Sequence, residues 1–183
     1  MEIVVLFETG EGQTRKIAGF LADQLRASGH EPTLIEATRP DAGRALAQVE
    51  RVILAAPVHE RRHPKRFETL VRDSREILAG RATLMMSVSL KAAFPDGLDE
   101  AHDYLTEMKM RTGFTPTREL LVAGAVRPGS YDYFQSQIVR HVLLAGQDVD
   151  LNDGVQEFTD WDALAAAARS FLADEATARS GAQ

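Results

Sequence analysis

Seven residues near the start of the chain, Glu8-Thr9-Gly10-Glu11-Gly12-Gln13-Thr14, set two glycines and two threonine hydroxyls directly ahead of an amphipathic segment. An apolar run at 3–7 leads into them. In such a strand–loop–helix unit, glycines allow a tight turn and free N–H groups at the helix start converge on one point. The helix dipole favours negative charge there. The chemistry on offer is phosphate binding. The spacing lacks the third glycine of the dinucleotide fingerprint G-x-G-x-x-G and the Gly-Lys-Ser/Thr ending of a P-loop. Hydroxyls at Thr9 and Thr14 around Gly10 and Gly12 suit a single terminal phosphate, as in a mononucleotide. The alternative is an ordinary βα turn.

A second group with chemical potential is the run His59-Glu60-Arg61-Arg62-His63-Pro64-Lys65-Arg66, four cationic residues to one acid in a chain of net charge −6. Guanidinium forks bind carboxylates in a bidentate manner. A solvated helix flank is the competing reading. The run also spells H-E-x-x-H, the zinc-protease string. That chemistry needs both imidazoles on one helical face and a third ligand. Here the segment follows a strand directly, and Pro64 disfavours a helical backbone at His63, so no metal is expected. His59 and His63 are also candidate proton carriers, because imidazole titrates near neutrality; surface histidines are the alternative. No catalytic residue is singled out.

These residues must be positioned by a scaffold, and the hydrophobic pattern supplies one. Strand-like runs lie at 3–7, 33–36, 51–56, 83–88 and 119–126. Helix-like stretches lie at 13–28, 41–48, 64–78, 98–111, 132–144 and 160–173, the last opening with a capping-box-like Thr159 and Asp162. Alternating β and α elements imply an α/β fold, a parallel sheet covered by helices on both faces. Ligands of such sheets sit beyond the carboxyl ends of the strands, where the strand order reverses. That gathers residues 8–14, 57–63, 89–97 and 127–133 around one crevice. Phe158 and Trp161 are expected in the core. Asp99 with Glu100, and Asp148 with Asp150 and Asp153, read as helix-dipole partners and solvated loop charge.

The 183 residues fit one domain, expected over 1–175 with a flexible tail at 176–183. With no cysteine, thiol redox chemistry, disulfides and cysteine-ligated iron–sulfur clusters are excluded. The net negative charge argues against nucleic acid as a partner. No run reaches the roughly 18 apolar residues of a spanning helix, and no signal peptide precedes the first strand. A cytoplasmic location is expected, with peripheral contact on the inner face of the membrane still open.

Taken together, GQT followed by RKIA, AAPVHERRHP after the third strand, SVSL at the fourth, AGAVRPGSYDYF after the fifth and TDW near the last helix resemble one flavodoxin-like family. It is that of the menaquinone-dependent protoporphyrinogen oxidases (protoporphyrinogen IX dehydrogenase, quinone). The resemblance runs from Met1 to about Leu172. It implies a three-layer sandwich with a five-stranded parallel sheet of order 2-1-3-4-5, one bound FMN, and oxidation of protoporphyrinogen IX in haem biosynthesis. A quinone is then the electron acceptor. By the same resemblance, Thr9, Gly10, Glu11, Gly12, Gln13 and Thr14 hold the phosphate. Pro57, Val58 and His59 flank the flavin ring, and Ser87, Val88, Ser89 and Leu90 face it from the next loop. Arg61 and Arg62 are candidates for gripping substrate propionates. Tyr131, Tyr133, Phe134, Ile138 and Val142, beside Arg140 and His141, form a stripe that meets either quinone and membrane or the protein core.

Two positions depart from the family pattern. Glu8 stands where flavodoxin-like phosphate loops carry a hydroxyl. A carboxylate about 4 Å from a phosphate costs roughly 4 kcal/mol per charge pair at an effective dielectric of about 20. That equals about three orders of magnitude in affinity, so either Glu8 points outward or FMN binds weakly. Segment 57–63 also lacks the Tyr or Trp that usually stacks on the flavin; His59, Arg61 or Arg62 could lie there instead. The competing functions are a flavodoxin-like electron carrier or quinone reductase, and a flavin-free binding module that kept the fold.

Overall fold

The computed structural model describes residues 2–127 and 154–180, with side chains up to 174. Five parallel strands form the sheet: β1 (Glu2–Phe7), β2 (Glu31–Glu36), β3 (Arg51–Pro57), β4 (Ala82–Ser89) and β5 (Arg118–Ala123). Their order is β2-β1-β3-β4-β5, as expected for a flavodoxin-like three-layer sandwich. In β1 and β3 nearly every residue is buried, because helices cover both faces. Successive side chains of a strand point to opposite sides, and the core divides accordingly. Ile3, Val5 and Phe7 pack with Ile17, Leu21 and Leu25 of α1 (Gln13–Ala27) and with Leu164 and Phe171 of the last helix. Val4 and Leu6 pack on the opposite side with Phe67, Val71, Leu105 and Met108. Those residues belong to α3 (Lys65–Asp73) and α5 (Leu98–Thr112); the short α2 (Ala42–Leu46) and α4 (Arg75–Ala79) complete the described elements of this layer.

Three boundaries differ from the sequence expectation. The strand expected at 119–126 is broken at Gly124, whose N–H bonds back to Ser89 O at 3.1 Å. Beyond the break, β6 (Ala125–Val126) pairs antiparallel with β7 (Gln156–Glu157). The helix expected at 64–78 is interrupted at Ser74 into α3 and α4. The last helix, α6 (Trp161–Ser180), is capped by Asp160 rather than Thr159: Ala163 N–H donates to Asp160 Oδ1 at 2.9 Å. The Thr159 hydroxyl instead donates to Ala123 O at 2.7 Å, tying the helix start to the sheet. Trp161 and Phe158 are half-buried rather than core; Trp161 lies 5.0 Å from Phe20 and Phe158 lies 5.4 Å from Phe94. The expected helix at 132–144, the stripe from Tyr131 to Val142, and Asp148, Asp150 and Asp153 lie outside the described residues.

The topology fixes where a ligand can sit. β1 connects outward to β2 and the chain then crosses to β3, so the order reverses between β1 and β3. The loops after β1, β3 and β4 and the break after β5 meet above that point.

Candidate functional site

The loop after β1 closes on itself before the helix begins. Gly12 N–H donates to Thr9 Oγ1 at 2.9 Å, and Gly12 holds φ +99°, a conformation that a side chain would strain. No side chain caps α1, and its first turn carries no acid. The first-turn N–H groups therefore stay available to an anion. Thr14, only 2% exposed, and Thr9 both line the crevice. A loop of this form is suited to receive an anion.

Glu8 does not enter the crevice. Burial raises the Glu8 carboxyl above the ordinary carboxylate range, while the Phe67 backbone N–H and the charge of Arg66 pull it back down. Those partners sit at the start of α3, and Glu8 is absent from the crevice wall. The carboxylate turns towards the start of α3, with Oε2 buried there, rather than into the crevice.

The Gln13 side chain is engaged in a polar network. Its Nε2 donates to Glu157 Oε2 at 3.1 Å and Thr159 Oγ1 at 3.0 Å, while its Oε1 accepts from Arg127 at 2.6 Å. Glu157 is further held by Lys16 at 2.6 Å and by the Trp161 indole N–H at 2.8 Å. This network ties the start of α1 to β7 and to the end of β6.

Beyond β3 the chain makes a two-residue hairpin. His59 and Arg62 exchange backbone hydrogen bonds of 2.9 and 3.0 Å, with Glu60 at φ 49° and Arg61 at φ 64°. Left-handed backbone at residues with a Cβ costs roughly 1–2 kcal/mol each. The hairpin spans the crevice. On one side His59 packs against Gly10, where an added Cβ would lie 3.1 Å from Nε2, and its Nδ1 faces Glu11 at 4.0 Å. On the other, the Arg61 guanidinium lies over the Tyr104 ring at 5.3 Å and pairs with Glu100. The H-E-x-x-H string thus folds as a reverse turn, not a helix. Its second histidine is buried at 1% exposure, with Nε2 2.9 Å from Ser87 Oγ. Burial depresses the His63 pKa to about 4, so the ring is neutral near pH 7.

Of the residues expected at the site, Thr9, Gly10, Glu11, Gln13 and Thr14 line the crevice with Pro57, Val58 and His59. Val88, Ser89, Leu90 and Arg61 complete that set. Gly12 shapes the loop without reaching the wall. Ser87 lies behind it on His63, and Arg62 turns away to Glu68 at 2.8 Å. Burial works to raise Glu68, yet hydrogen bonds from Arg111 and Arg62 outweigh it and hold its carboxyl below the usual range. Two of the four cations of the basic run, Arg61 and Arg62, are thus taken by ion pairs to other elements, while Lys65 and Arg66 are exposed.

The sequence did not single out Glu60, Lys91, Tyr104, Gly124 and Ala125, which also line the crevice. Tyr104 comes from the second turn of α5, and its phenol donates to Glu100 Oε1 at 2.7 Å. Burial, reinforced by that carboxylate, pushes the Tyr104 hydroxyl well above its ordinary pKa. Glu100 and Tyr104 are paired at i, i+4 on α5, and only the tertiary structure brings Tyr104 to the crevice wall.

The flavodoxin-domain family profile matches residues 4–150, and the chain belongs to that family. The solved structure of oxidised flavodoxin 2 from Bacillus cereus superposes with a TM-score of 0.51 at 23% identity, covering 68% of this chain and 85% of that one. Flavodoxin 1 of the same organism gives 0.50 at 21% identity, covering 78% and 99%. Among characterised relatives, protoporphyrinogen IX dehydrogenase [quinone] of Escherichia coli (strain K12) is 26% identical over 181 residues, covering 97% of this chain and 99% of that protein.

Proposed function

We propose that this chain is an FMN-dependent oxidoreductase of the flavodoxin type. The observation that carries the reading is the empty-capped start of α1, with Gly12 left-handed and Glu8 turned towards Phe67. Thr9, Gly10, Gly12 and Thr14 would hold the phosphate with the first N–H groups of α1. Pro57, Val58 and His59 on one wall, and Val88, Ser89 and Leu90 on another, would flank the ring. Bound FMN supplies reversible electron uptake, which this cysteine-free chain lacks among its side chains. The protein's part is to bind, orient and shield.

Within that class, electron transfer or quinone reduction needs no more than this crevice. Oxidation of protoporphyrinogen IX with a quinone acceptor, in haem biosynthesis, is the second and more specific reading. It is favoured by the full-length similarity to the Escherichia coli protein of that name. Commitment of Arg62 to Glu68 and of Arg61 to Glu100 weighs against both as free propionate anchors. Among the described residues no helix is long and apolar enough to cross a membrane. A cytoplasmic protein with peripheral membrane contact, built as one domain over 1–175, accords with the quinone reading.

Titration of FMN into the apo-protein, followed by flavin fluorescence, tests the class. Saturable binding of one FMN is expected, and a protein that stays colourless in excess FMN overturns it. Anaerobic assay with protoporphyrinogen IX and a menaquinone analogue then separates the two readings. Turnover selects the dehydrogenase; no porphyrinogen oxidation, with quinone reduced only when a separate hydride donor such as a reduced nicotinamide is added, selects the carrier or reductase.

A further inference from the structure

The wall opposite the phosphate loop contains an assembly of charges that flavin binding alone does not require. Glu100, in the first turn of α5, holds three partners: Arg61 and the Tyr104 phenol at Oε1, and Lys91 Nζ at 3.1 Å from Oε2. Tyr104 is 1% exposed, while the Arg61 side chain is 59% exposed. The Arg61 guanidinium carbon therefore lies 5.3 Å from the centre of a fixed aromatic ring, while most of the side chain stays exposed at the crevice wall.

That arrangement is held from three directions. The ion pair fixes one end of the guanidinium, the Tyr104 ring lies beneath it, and the left-handed backbone at Glu60 and Arg61 shapes the hairpin tip that carries it towards α5. Left-handed backbone at two residues bearing a Cβ persists only where surrounding contacts over-determine it. A guanidinium is planar and stacks on π-systems. Segment 57–63 offers no Phe, Tyr or Trp for that purpose.

We propose that Arg61 is the residue that stacks on the flavin ring, replacing an aromatic side chain, and that its charge raises the two-electron reduction potential of bound FMN. Tyr104 and Glu100 are its positioning residues, and Lys91 adds a second cation to the same wall. The inference rests on the FMN reading above and says which way this chain tunes the cofactor. Two-electron reduction adds two electrons and one proton to the neutral oxidised ring, leaving it with one more negative charge. The electrons come from an organic hydride donor, whose C–H bond breaks, or from dithionite in the assay. A cation against the ring lowers the energy of that charged product more than that of the neutral ring. The acids on the crevice wall are Glu11, in the phosphate loop facing His59, and the exposed Glu60 at the hairpin tip. Around Glu100 two cations meet one carboxylate; with Glu11 and Glu60 the wall carries more acids than cations, so the tuning comes from the nearness of the Arg61 charge to the ring rather than from net charge.

The test compares the wild-type protein with Arg61→Gln and Arg61→Lys, each loaded with FMN and titrated with dithionite against a reference dye. Arg61→Gln should bind FMN yet lower the reduction equilibrium constant about tenfold, about 30 mV for a two-electron couple. Arg61→Lys keeps the charge and loses the plane. Its potential should stay within about threefold of wild type, roughly 15 mV, while the visible circular dichroism of the bound flavin changes. Equal potentials in wild type and Arg61→Gln, both binding FMN, overturn this inference and leave the FMN reading standing. Failure of the wild-type protein to bind FMN overturns both. Should Arg61→Gln not fold, Arg61→Lys with unchanged dichroism is enough to refute the stacking role.

Discussion

Replacing His63 by Gln tests whether this histidine is part of the scaffold or a proton carrier. The imidazole is 1% exposed, shares a 2.9 Å hydrogen bond with Ser87, and has no partner at Nδ1. Burial lowers its pKa from 6.5 to about 4; Arg111 pushes the same way, and Glu68 opposes both. The folded value lies below the unfolded one, so the fold prefers the neutral ring. Its contribution is fully present above about pH 6.5 and fades as the pH falls through about 4. A shift of about 2.5 units at about 1.36 kcal/mol each amounts to about 3 kcal/mol well below pH 4. At pH 5, where an unfolded histidine is almost fully protonated and the folded one is not, linkage gives about 2 kcal/mol. Urea unfolding of the apo-protein at pH 7.5 and pH 5 measures it. Wild type should lose about 2 kcal/mol more than His63→Gln over that interval, because the amide can still bond Ser87 and does not titrate. Glu68, Arg62 and Arg111 are present in both proteins, so their own titration largely cancels. Parallel losses, within about 0.5 kcal/mol, would refute the buried neutral imidazole. A confirmed difference leaves His59, among the described histidines, as the one at the crevice wall.

Three other substitutions probe the cradle and its supports. Thr14→Val should weaken FMN binding about 10- to 100-fold in a fluorescence titration, the worth of a hydrogen bond to a charged group at about 1.5–3 kcal/mol; unchanged affinity would remove Thr14 from the phosphate site. Glu8→Gln should raise the thermal midpoint at pH 8, because a carboxyl raised by burial destabilises the fold once it ionises. That advantage should close as pH falls below the ordinary carboxylate range, while FMN affinity stays within about threefold. A tenfold gain in affinity would instead place the carboxylate beside the phosphate. Gly97→Ala brings a Cβ to 2.3 Å from the Lys91 carbonyl oxygen. Overpacking of this kind costs roughly 1–3 kcal/mol, read as a lower urea midpoint; an unchanged midpoint would mean the Lys91 turn yields freely.

Much of the fold was legible because its signals are local. Apolar runs such as 3–7 and 51–56 sit on strands buried on both faces, and the spacing of Ile17, Leu21 and Leu25 marks the inner face of α1. The glycines and hydroxyls of 8–14 announced the cradle for the same reason: a tight turn and an uncapped helix start are properties of a few neighbouring residues. Ser74 and Gly124, which interrupt elements expected to be continuous, were not legible. At Gly124 the break depends on a hydrogen bond to Ser89, remote in sequence.

Charge was the least readable quantity. Residues 59–66 spell an open basic patch, yet Glu100 takes Arg61 and Glu68 takes Arg62, and both acids come from other elements. Glu8 reads as an obstacle to phosphate until its environment at the start of α3 is known. The amino-acid order alone determined the layers, the strand alternation and the tight glycine loop ahead of α1, since periodicity and turn chemistry act over a few residues. Only the tertiary structure decided where side-chain charges come to rest, that Tyr104 stands in the crevice and that His63 is sealed behind it. Those outcomes depend on which distant partner lies within about 4 Å, and electrostatic energy falls off with a distance that sequence spacing does not encode.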